Sequence, residues 1–192
     1  ASTDDTGELA ELLMFHPGLM GRSTLITNKK RLGALANIYN TIQSIEPHKV
    51  VVSLDGDDWL AHSKVLEVVA KAYEDENVWL TYGSFESDPI GWKFDKPTSE
   101  APHRKQQGNW IVPLRTFYAK LFQHSKKEDL QHEGAFFPTT GDIAFIFPLV
   151  EMAINGHIRF IDEVLYIYNI KNPINDFRVN HDLQNAMRLI IE

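Results

Sequence analysis

The segment KVVVSLDGDDWL, residues 49–60, constrains the fold of this chain more than any other. Its first six residues are apolar apart from Lys49 and one serine, which is typical of a strand buried on both faces of a parallel sheet. Three carboxylates, Asp55, Asp57 and Asp58, follow that strand directly. Ligands of open α/β sheets bind beyond the carboxyl ends of the strands, so these acids are predicted to lie at the functional edge.

Strands and helices alternate along the rest of the chain. A first helix is predicted to begin at Asp5 or Thr6. The other predicted helices cover residues 31–45, 62–73, 114–125 and 142–153, and the predicted strands cover residues 23–27, 49–54, 78–85 and 158–169. This rhythm predicts an α/β fold with a mostly parallel sheet flanked by helices.

Composition excludes several functional classes. The formal net charge is −7, which argues against nucleic acid as a partner and against broad binding to anionic membranes. Cysteine is absent, so a metal would have to be held by oxygen or imidazole. No apolar run approaches the roughly 20 residues that span a bilayer. We therefore expect no transmembrane segment and a cytoplasmic protein that meets a membrane only through its acceptor.

The three clustered acids favour a cation. Like charges this close raise one another's pKa unless a cation neutralises them. Asp55 and Asp57 carry the oxygen ligands that Mg²⁺ and Mn²⁺ prefer. The structural alternative is that Asp58 caps the following helix, whose dipole favours negative charge at its start.

Three segments, STDDT at 2–6, LDGDDW at 54–59 and TTGDIAF at 139–145, together resemble the family 2 glycosyltransferases. The first looks like the end of that family's D-D-x-S-x-D-x-T loop, the second like its D-x-D motif, and the third lies where its catalytic Asp loop is expected. The resemblance implies the GT-A fold, a Rossmann-like nucleotide-diphospho-sugar transferase fold. It also implies an N-terminal truncation of the first β-α-β part, so self-association or a missing N-terminal segment is expected.

The resemblance implies an inverting transfer that uses a divalent metal. The donor would be a nucleoside-diphosphate sugar, expected to be UDP-linked, and the acceptor would be a glycan, lipid or protein hydroxyl. Asp142 would be the general base. Asp55 and Asp57 would hold Mn²⁺ or Mg²⁺, with His181 as a third ligand.

The resemblance also implies a set of donor contacts. Asp4 would lie close to the nucleotide, Asp55 at the ribose, and Asn37 near the nucleoside. Arg31 is a candidate phosphate partner, and Arg115 a candidate for a phosphate or an acidic acceptor.

Each assignment has a structural alternative. Asp142 could be an ordinary helix N-cap, Arg31 a solvated cation, Arg115 a cation on a packed amphipathic helix, and His181 a surface residue.

One domain, residues 1–192, is predicted in three parts. Residues 1–85 would bind nucleotide and metal, residues 86–109 would form a functional loop, and residues 110–192 would supply the acceptor side and the base. Two other functions stay open. One is a different Mg²⁺-dependent phosphate-processing enzyme, because haloacid-dehalogenase-type phosphatases also place D-x-D after a buried strand. The other is a truncated, non-catalytic remnant that binds nucleotide sugars.

Overall fold

The computed structural model of the protein describes residues 4–93 and 111–192. The helices within these ranges are α1 Thr6–Met14, α2 Ala34–Ile42, α3 Val65–Ala72, α4 Ala119–Gln123, α5 Gly141–Ala153, α6 Asp176–Val179 and α7 His181–Ile191. The strands are β1 Val50–Val52, β2 Trp59–Leu60, β3 Leu80–Asp88, β4 Thr116–Tyr118, β5 Gln131–His132, β6 Ala135–Phe136 and β7 Ile158–Asn169. None of these helices is both long and apolar enough to cross a membrane.

Five strands form the main sheet, in the order β1-β4-β3-β7-β2. Strands β3 and β7 pair in parallel, from Leu80 opposite Ile158 to Asp88 opposite Asn169. Strand β4 runs antiparallel to both β1 and β3, and β2 runs antiparallel to β7. Strands β1, β3 and β7 therefore point the same way, and their carboxyl ends meet at one edge of the sheet.

The prediction of a mostly parallel sheet is correct for the direction of these three strands but wrong for their neighbours. Between residues 4 and 93 and between 111 and 192, only the β3–β7 pair is parallel. The cause is β4, which inserts between β1 and β3 in the reverse direction. Strand β1 consequently lies at the edge of the sheet, where its valines are half-buried and not covered on both faces.

Two further elements differ from the prediction. Residues 23–27 have no strand partner in the described chain. Residues 114–125, predicted as one helix, divide into β4 and α4. Thr116 and Phe117 are almost fully buried between neighbouring strands, so pairing in the sheet outweighs the helical spacing of the sequence.

The predicted loop at residues 86–109 starts too early. Strand β3 continues to Asp88, because Glu86, Ser87 and Asp88 pair with the end of β7. From residue 94 onward, the predicted loop lies outside the described residues.

The main core lies between the sheet and helices α2, α4 and α5. Its largest side chains are aromatic. The rings of Phe117 and Phe122 are stacked at 6.1 Å between centroids, and Phe145 lies tilted against both at 5.8 Å. Helix α5 is buried almost all round, as expected for a central helix, and continues through Pro148 to Ala153. A second cluster joins α3 to Leu114, Leu165 and Tyr166. Helices thus flank the sheet, and the predicted α/β class is confirmed.

Helix α1 begins at Thr6 as predicted, but it buries none of its residues. Leu9, Leu12 and Leu13 are 59%, 67% and 60% exposed. A continuous apolar surface of this kind usually marks an interaction site. Self-association, predicted from the missing first part of the domain, remains a prediction.

Replacing Leu9, Leu12 and Leu13 together with glutamine is expected to change the free energy of unfolding by no more than about 0.5 kcal/mol, because all three side chains are more than half exposed and none belongs to the core. Urea denaturation below the concentration at which the chain associates measures this. Ile42→Val is the control, since Ile42 is 3% exposed and losing its methyl group should cost about 1 kcal/mol. A triple variant that is less stable than Ile42→Val would show that α1 belongs to the folded core.

Candidate active site

The acidic segment forms a tight turn between β1 and β2. Ser53, the residue after β1, donates its N–H to the Arg115 carbonyl at 3.3 Å, and the Asp58 N–H donates to the Asp55 carbonyl at 3.2 Å. Because β1 points in the same direction as β3 and β7, this turn lies at the common carboxyl edge of the sheet. The structure thus places the acids where the sequence predicts them.

Asp58 does not cap a helix, and that alternative is wrong. Helix α3 begins only at Val65, and β2 intervenes. The Asp58 carboxylate instead accepts one hydrogen bond from the Tyr166 hydroxyl and one from the Asn169 N–H at 2.7 Å. Both donors belong to β7, so Asp58 fixes the acidic turn to the neighbouring strand.

Tyr166 contacts the turn twice. Its hydroxyl donates to Asp58 and accepts the Asp55 N–H at 3.5 Å. The residue is 1% exposed. Burial, followed by the negative charge of Asp55, raises the pKa of its hydroxyl, so Tyr166 stays a neutral donor.

Asp57 is held from the segment that follows β7. Asn172 donates its side-chain N–H to Asp57 Oδ2 at 2.6 Å. That segment is itself fixed by an ion pair between Lys171 and Asp88 at 2.9 Å and by Arg178, which donates to the Ile170 carbonyl at 2.9 Å.

Asp142 lies beside the acidic turn in an ion pair with Arg115. The guanidinium contacts Asp142 Oδ2 at 3.0 Å, and its Nε donates to the Ile111 carbonyl at 2.7 Å. The Arg115 side chain is 15% exposed and that of Asp142 is 47% exposed, so the cation is held while the carboxylate faces solvent. The charges of Asp142 and Arg115 both act on Asp55, which places the pair close to the turn.

The start of α5 also carries backbone strain. Thr140 is the N-cap residue, with φ 56° and ψ 25° in the left-handed region that β-branched residues rarely adopt. Asp142 is therefore in the first turn of α5 and is not its N-cap. Strained residues of this kind cluster at functional sites. Gly141 lets α5 approach α2, because a Cβ at this position would lie 3.0 Å from the Leu35 Cβ.

The site raises the pKa of two of its acids. Asp55 as a whole residue is exposed, but neighbouring protein atoms desolvate its carboxyl group. This desolvation raises the pKa of Asp55, and the negative charges of Asp58 and Asp142 raise it further. Arg115 opposes this effect. Burial also raises the pKa of Asp58, against the hydrogen bonds from Tyr166 and Asn169. Within the described residues, the positive charge near Asp55, Asp57 and Asp58 therefore does not balance their negative charge.

Asp55→Asn is expected to raise the melting temperature at pH 7. An acid whose pKa is higher in the folded state costs stability once pH rises above that pKa, and the cost disappears as pH falls below the ordinary aspartate range. The gain should therefore shrink when the same melts are measured near pH 4. A gain that is equal at both pH values, or a loss at pH 7, would contradict the repulsion described here.

Asp55 and Asp57 carry the oxygen donors that a divalent cation shared with a phosphate ligand would need. No group of three or more His, Cys, Asp or Glu side chains placed to hold a metal occurs in the described chain. Mg²⁺, however, is commonly bound by one or two carboxylates together with substrate phosphates. Asp55 and Asp57 match that pattern in their chemistry and in the excess negative charge around them.

His181, the predicted third metal ligand, begins α7 in a surface depression lined by residues 178–183. Its role as a metal ligand remains a prediction.

Three predicted donor residues lie elsewhere. Asp4 accepts hydrogen bonds from the Thr6 hydroxyl at 2.6 Å and the Thr6 N–H at 3.2 Å, which lower its pKa. Asn37 on α2 accepts from the Asn28 side chain at 2.8 Å. Arg31 is exposed in the loop before α2. Between described residues, no hydrogen bond or ion pair joins these three to the acidic turn, and residues 2 and 3 of the STDDT motif lie outside the described chain.

Sequence reasoning missed Tyr166, Asn169 and Asn172. Their signal was the segment YIYNIKN at 166–172, in which polar side chains follow a strand at its carboxyl end. The same rule that selected Asp55 and Asp57 after β1 applies to them.

Comparison with known proteins supports the fold. No protein-family model matches the chain, and no curated protein matches it. Among solved structures, the chain is similar to residues 1–349 of the S. aureus glycosyltransferase TarS, with a TM-score of 0.52 and 16% sequence identity. The match covers 88% of this chain and 49% of TarS, so the chain spans about half the length of that structure. The chain therefore has a glycosyltransferase-like α/β fold of the GT-A, Rossmann-like type.

Proposed function

We propose that the protein transfers a sugar, with inversion, from a nucleoside-diphosphate sugar to an acceptor hydroxyl. UDP is the proposed nucleotide, and a glycan, lipid or protein is the proposed acceptor. One observation carries the proposal: the acidic turn and the Asp142–Arg115 ion pair converge at the carboxyl edge of the sheet in a glycosyltransferase-like fold.

The donor side would use the excess negative charge of the turn. Mn²⁺ or Mg²⁺ held by Asp55 and Asp57, with His181 as the third ligand, would stabilise the charge that grows on the departing diphosphate. Asp58 is left out of this ligand set because Tyr166 and Asn169 already bind its two oxygens.

The acceptor side would use Asp142 as the base. Its carboxylate takes the proton of the acceptor hydroxyl while that oxygen forms a bond to the anomeric carbon. The bond from that carbon to the diphosphate oxygen breaks on the opposite face, and the nucleoside diphosphate leaves. Arg115 contacts only Oδ2 in the described structure, so it orients Asp142 and leaves Oδ1 for the proton.

The remaining donor contacts complete the proposal. Asp4 would lie close to the nucleotide, Asn37 near the nucleoside, and Arg31 at a phosphate. Each would contact the donor directly, because none of them bonds to the acidic turn within the described residues.

UDP release from UDP-glucose, UDP-galactose and UDP-N-acetylglucosamine, with Mn²⁺ or with EDTA, tests this function. We expect release with at least one donor, with loss in EDTA and in Asp57→Asn. Asp129→Asn, which changes an exposed acid in the 3-10 turn Lys127–Leu130, is the matched control. Binding of UDP without release would indicate a non-catalytic remnant, and hydrolysis of p-nitrophenyl phosphate would indicate another phosphate-processing enzyme.

A further inference from the structure

The turn that follows β3 exposes a tryptophan to solvent. Trp92 is 57% exposed, and its neighbour Ile90 is 73% exposed. The two side chains belong to one turn, and adjacent exposed apolar side chains rimmed by polar residues are typical of interaction and ligand-binding surfaces. The acidic turn and the Asp142–Arg115 pair do not use Trp92.

The turn holds Trp92 in a fixed place. The Ser87 N–H donates to the Trp92 carbonyl at 2.9 Å, and the Trp92 N–H donates to Ser87 Oγ at 3.0 Å. Glu86 and Lys93 close the turn with a backbone bridge and an ion pair at 3.3 Å. The Trp92 ring meets Phe85 edge-on, at 5.3 Å between centroids and 66° between planes. Such a fixed ring loses little entropy when a ligand stacks on it.

Trp92 lies at the same edge of the sheet as the acidic turn. Asp88, a few residues earlier in the chain, pairs with Asn169, whose N–H binds Asp58. Aromatic contacts also link Trp92 to β7. The Phe85 ring, which contacts Trp92, also contacts the ring of Tyr168, with 5.9 Å between centroids. The charges of Asp58, Asp57 and Asp55 act on the Tyr168 hydroxyl.

Charged side chains border this apolar surface. Lys93 pairs with Glu86, and Lys171 pairs with Asp88, and all four are partly exposed. A ligand here meets one aromatic face and a rim of hydrogen-bond donors and acceptors. A sugar ring has this combination, with a C–H face and a rim of hydroxyl groups. A wholly apolar ligand would bury the charges without compensation.

We propose that Trp92 is a stacking platform for a sugar ring, flanked by the Glu86–Lys93 and Asp88–Lys171 pairs. Trp92 lies beside the proposed site of transfer, so we assign the stacked ring to the acceptor sugar. This assignment rests on the proposed function. The binding of the sugar itself does not depend on transfer.

The test uses the indole N–H resonances of the ¹⁵N-labelled chain, with the Trp92 signal assigned by Trp92→Phe. Methyl glucoside, methyl galactoside and methyl N-acetylglucosaminide are titrated as probes. We expect at least one to shift the Trp92 signal and, in isothermal titration calorimetry, to bind about tenfold more weakly to Trp92→Ala than to the wild-type chain. Ile90→Ala is the control, since it removes apolar area from the same turn without removing an aromatic face, and it should keep the affinity within about twofold.

Two results would overturn the inference: no probe moves the Trp92 signal, or Ile90→Ala weakens binding as much as Trp92→Ala. Thermal melts of both variants show whether each is folded. UDP titrations of the same samples separate the two proposals. Sugar binding at Trp92 without UDP binding would leave this inference standing while the transferase proposal fails, and UDP binding without sugar binding would do the reverse.

Discussion

Asp58→Ala is expected to destabilise the fold by about 2–3 kcal/mol. The substitution leaves the Tyr166 hydroxyl and the Asn169 N–H without their acceptor, and Tyr166 is almost fully buried. An unsatisfied buried donor costs about 1–3 kcal/mol. Lower repulsion within the acidic turn offsets part of that cost, which is why the expected value stays below the sum for two donors.

Urea denaturation at pH 7 measures the effect of Asp58→Ala. Asp57→Ala is the matched control from the same turn, because its hydrogen-bond partner Asn172 belongs to a partly exposed loop, and it should cost less than about 1 kcal/mol. A double-mutant cycle with Tyr166→Phe should give a coupling of about 1 kcal/mol or more. An Asp58→Ala variant as stable as Asp57→Ala would show that Asp58 does not tie the turn to β7.

Asp142→Asn is expected to lower the rate of sugar transfer by about 10²–10⁴-fold, the usual effect of losing a general base. The amide keeps the shape of the carboxylate and an acceptor for Arg115, but it cannot take a proton at neutral pH. Binding of UDP with Mn²⁺ should stay unchanged, because the proposed donor site does not include Asp142.

Single-turnover transfer and UDP calorimetry on the same preparation separate these two effects. Asp129→Asn again controls for the loss of a surface charge. Equal rates for Asp142→Asn and the wild-type chain would remove Asp142 from the chemistry. Loss of UDP binding in Asp142→Asn would instead show that this residue belongs to the donor site.

The sequence predicts the part of the site that depends on a single strand, β1. The valines of β1 and the acids after them place Asp55 and Asp57 at the carboxyl edge of the sheet, because a strand that ends in polar residues exposes them there. The helices α1, α2, α3 and α5 follow in the same way from apolar residues at helical spacing.

The rest depends on pairing between distant segments. Asp58 has the local sequence of a helix cap, and only the approach of β7 gives it Tyr166 and Asn169 as partners. The apolar residues around positions 116–118 recur at helical spacing. These three residues nevertheless form β4, because they pair with β1 on one side and with β3 on the other. Local sequence carries no record of such partners, so it could not predict the antiparallel insertion or the ion pair between Arg115 and Asp142.

Calorimetric titration with UDP, with and without Mn²⁺, shows whether the acidic turn binds a nucleotide through a metal. We expect UDP to bind in the presence of Mn²⁺, binding to weaken about tenfold or more when Mn²⁺ is omitted, and Asp57→Ala to remove the effect of Mn²⁺. Asp129→Ala should leave both titrations unchanged. Absence of UDP binding would contradict the proposed donor site, and so would an Asp57→Ala variant that binds UDP with the same dependence on Mn²⁺ as the wild-type chain.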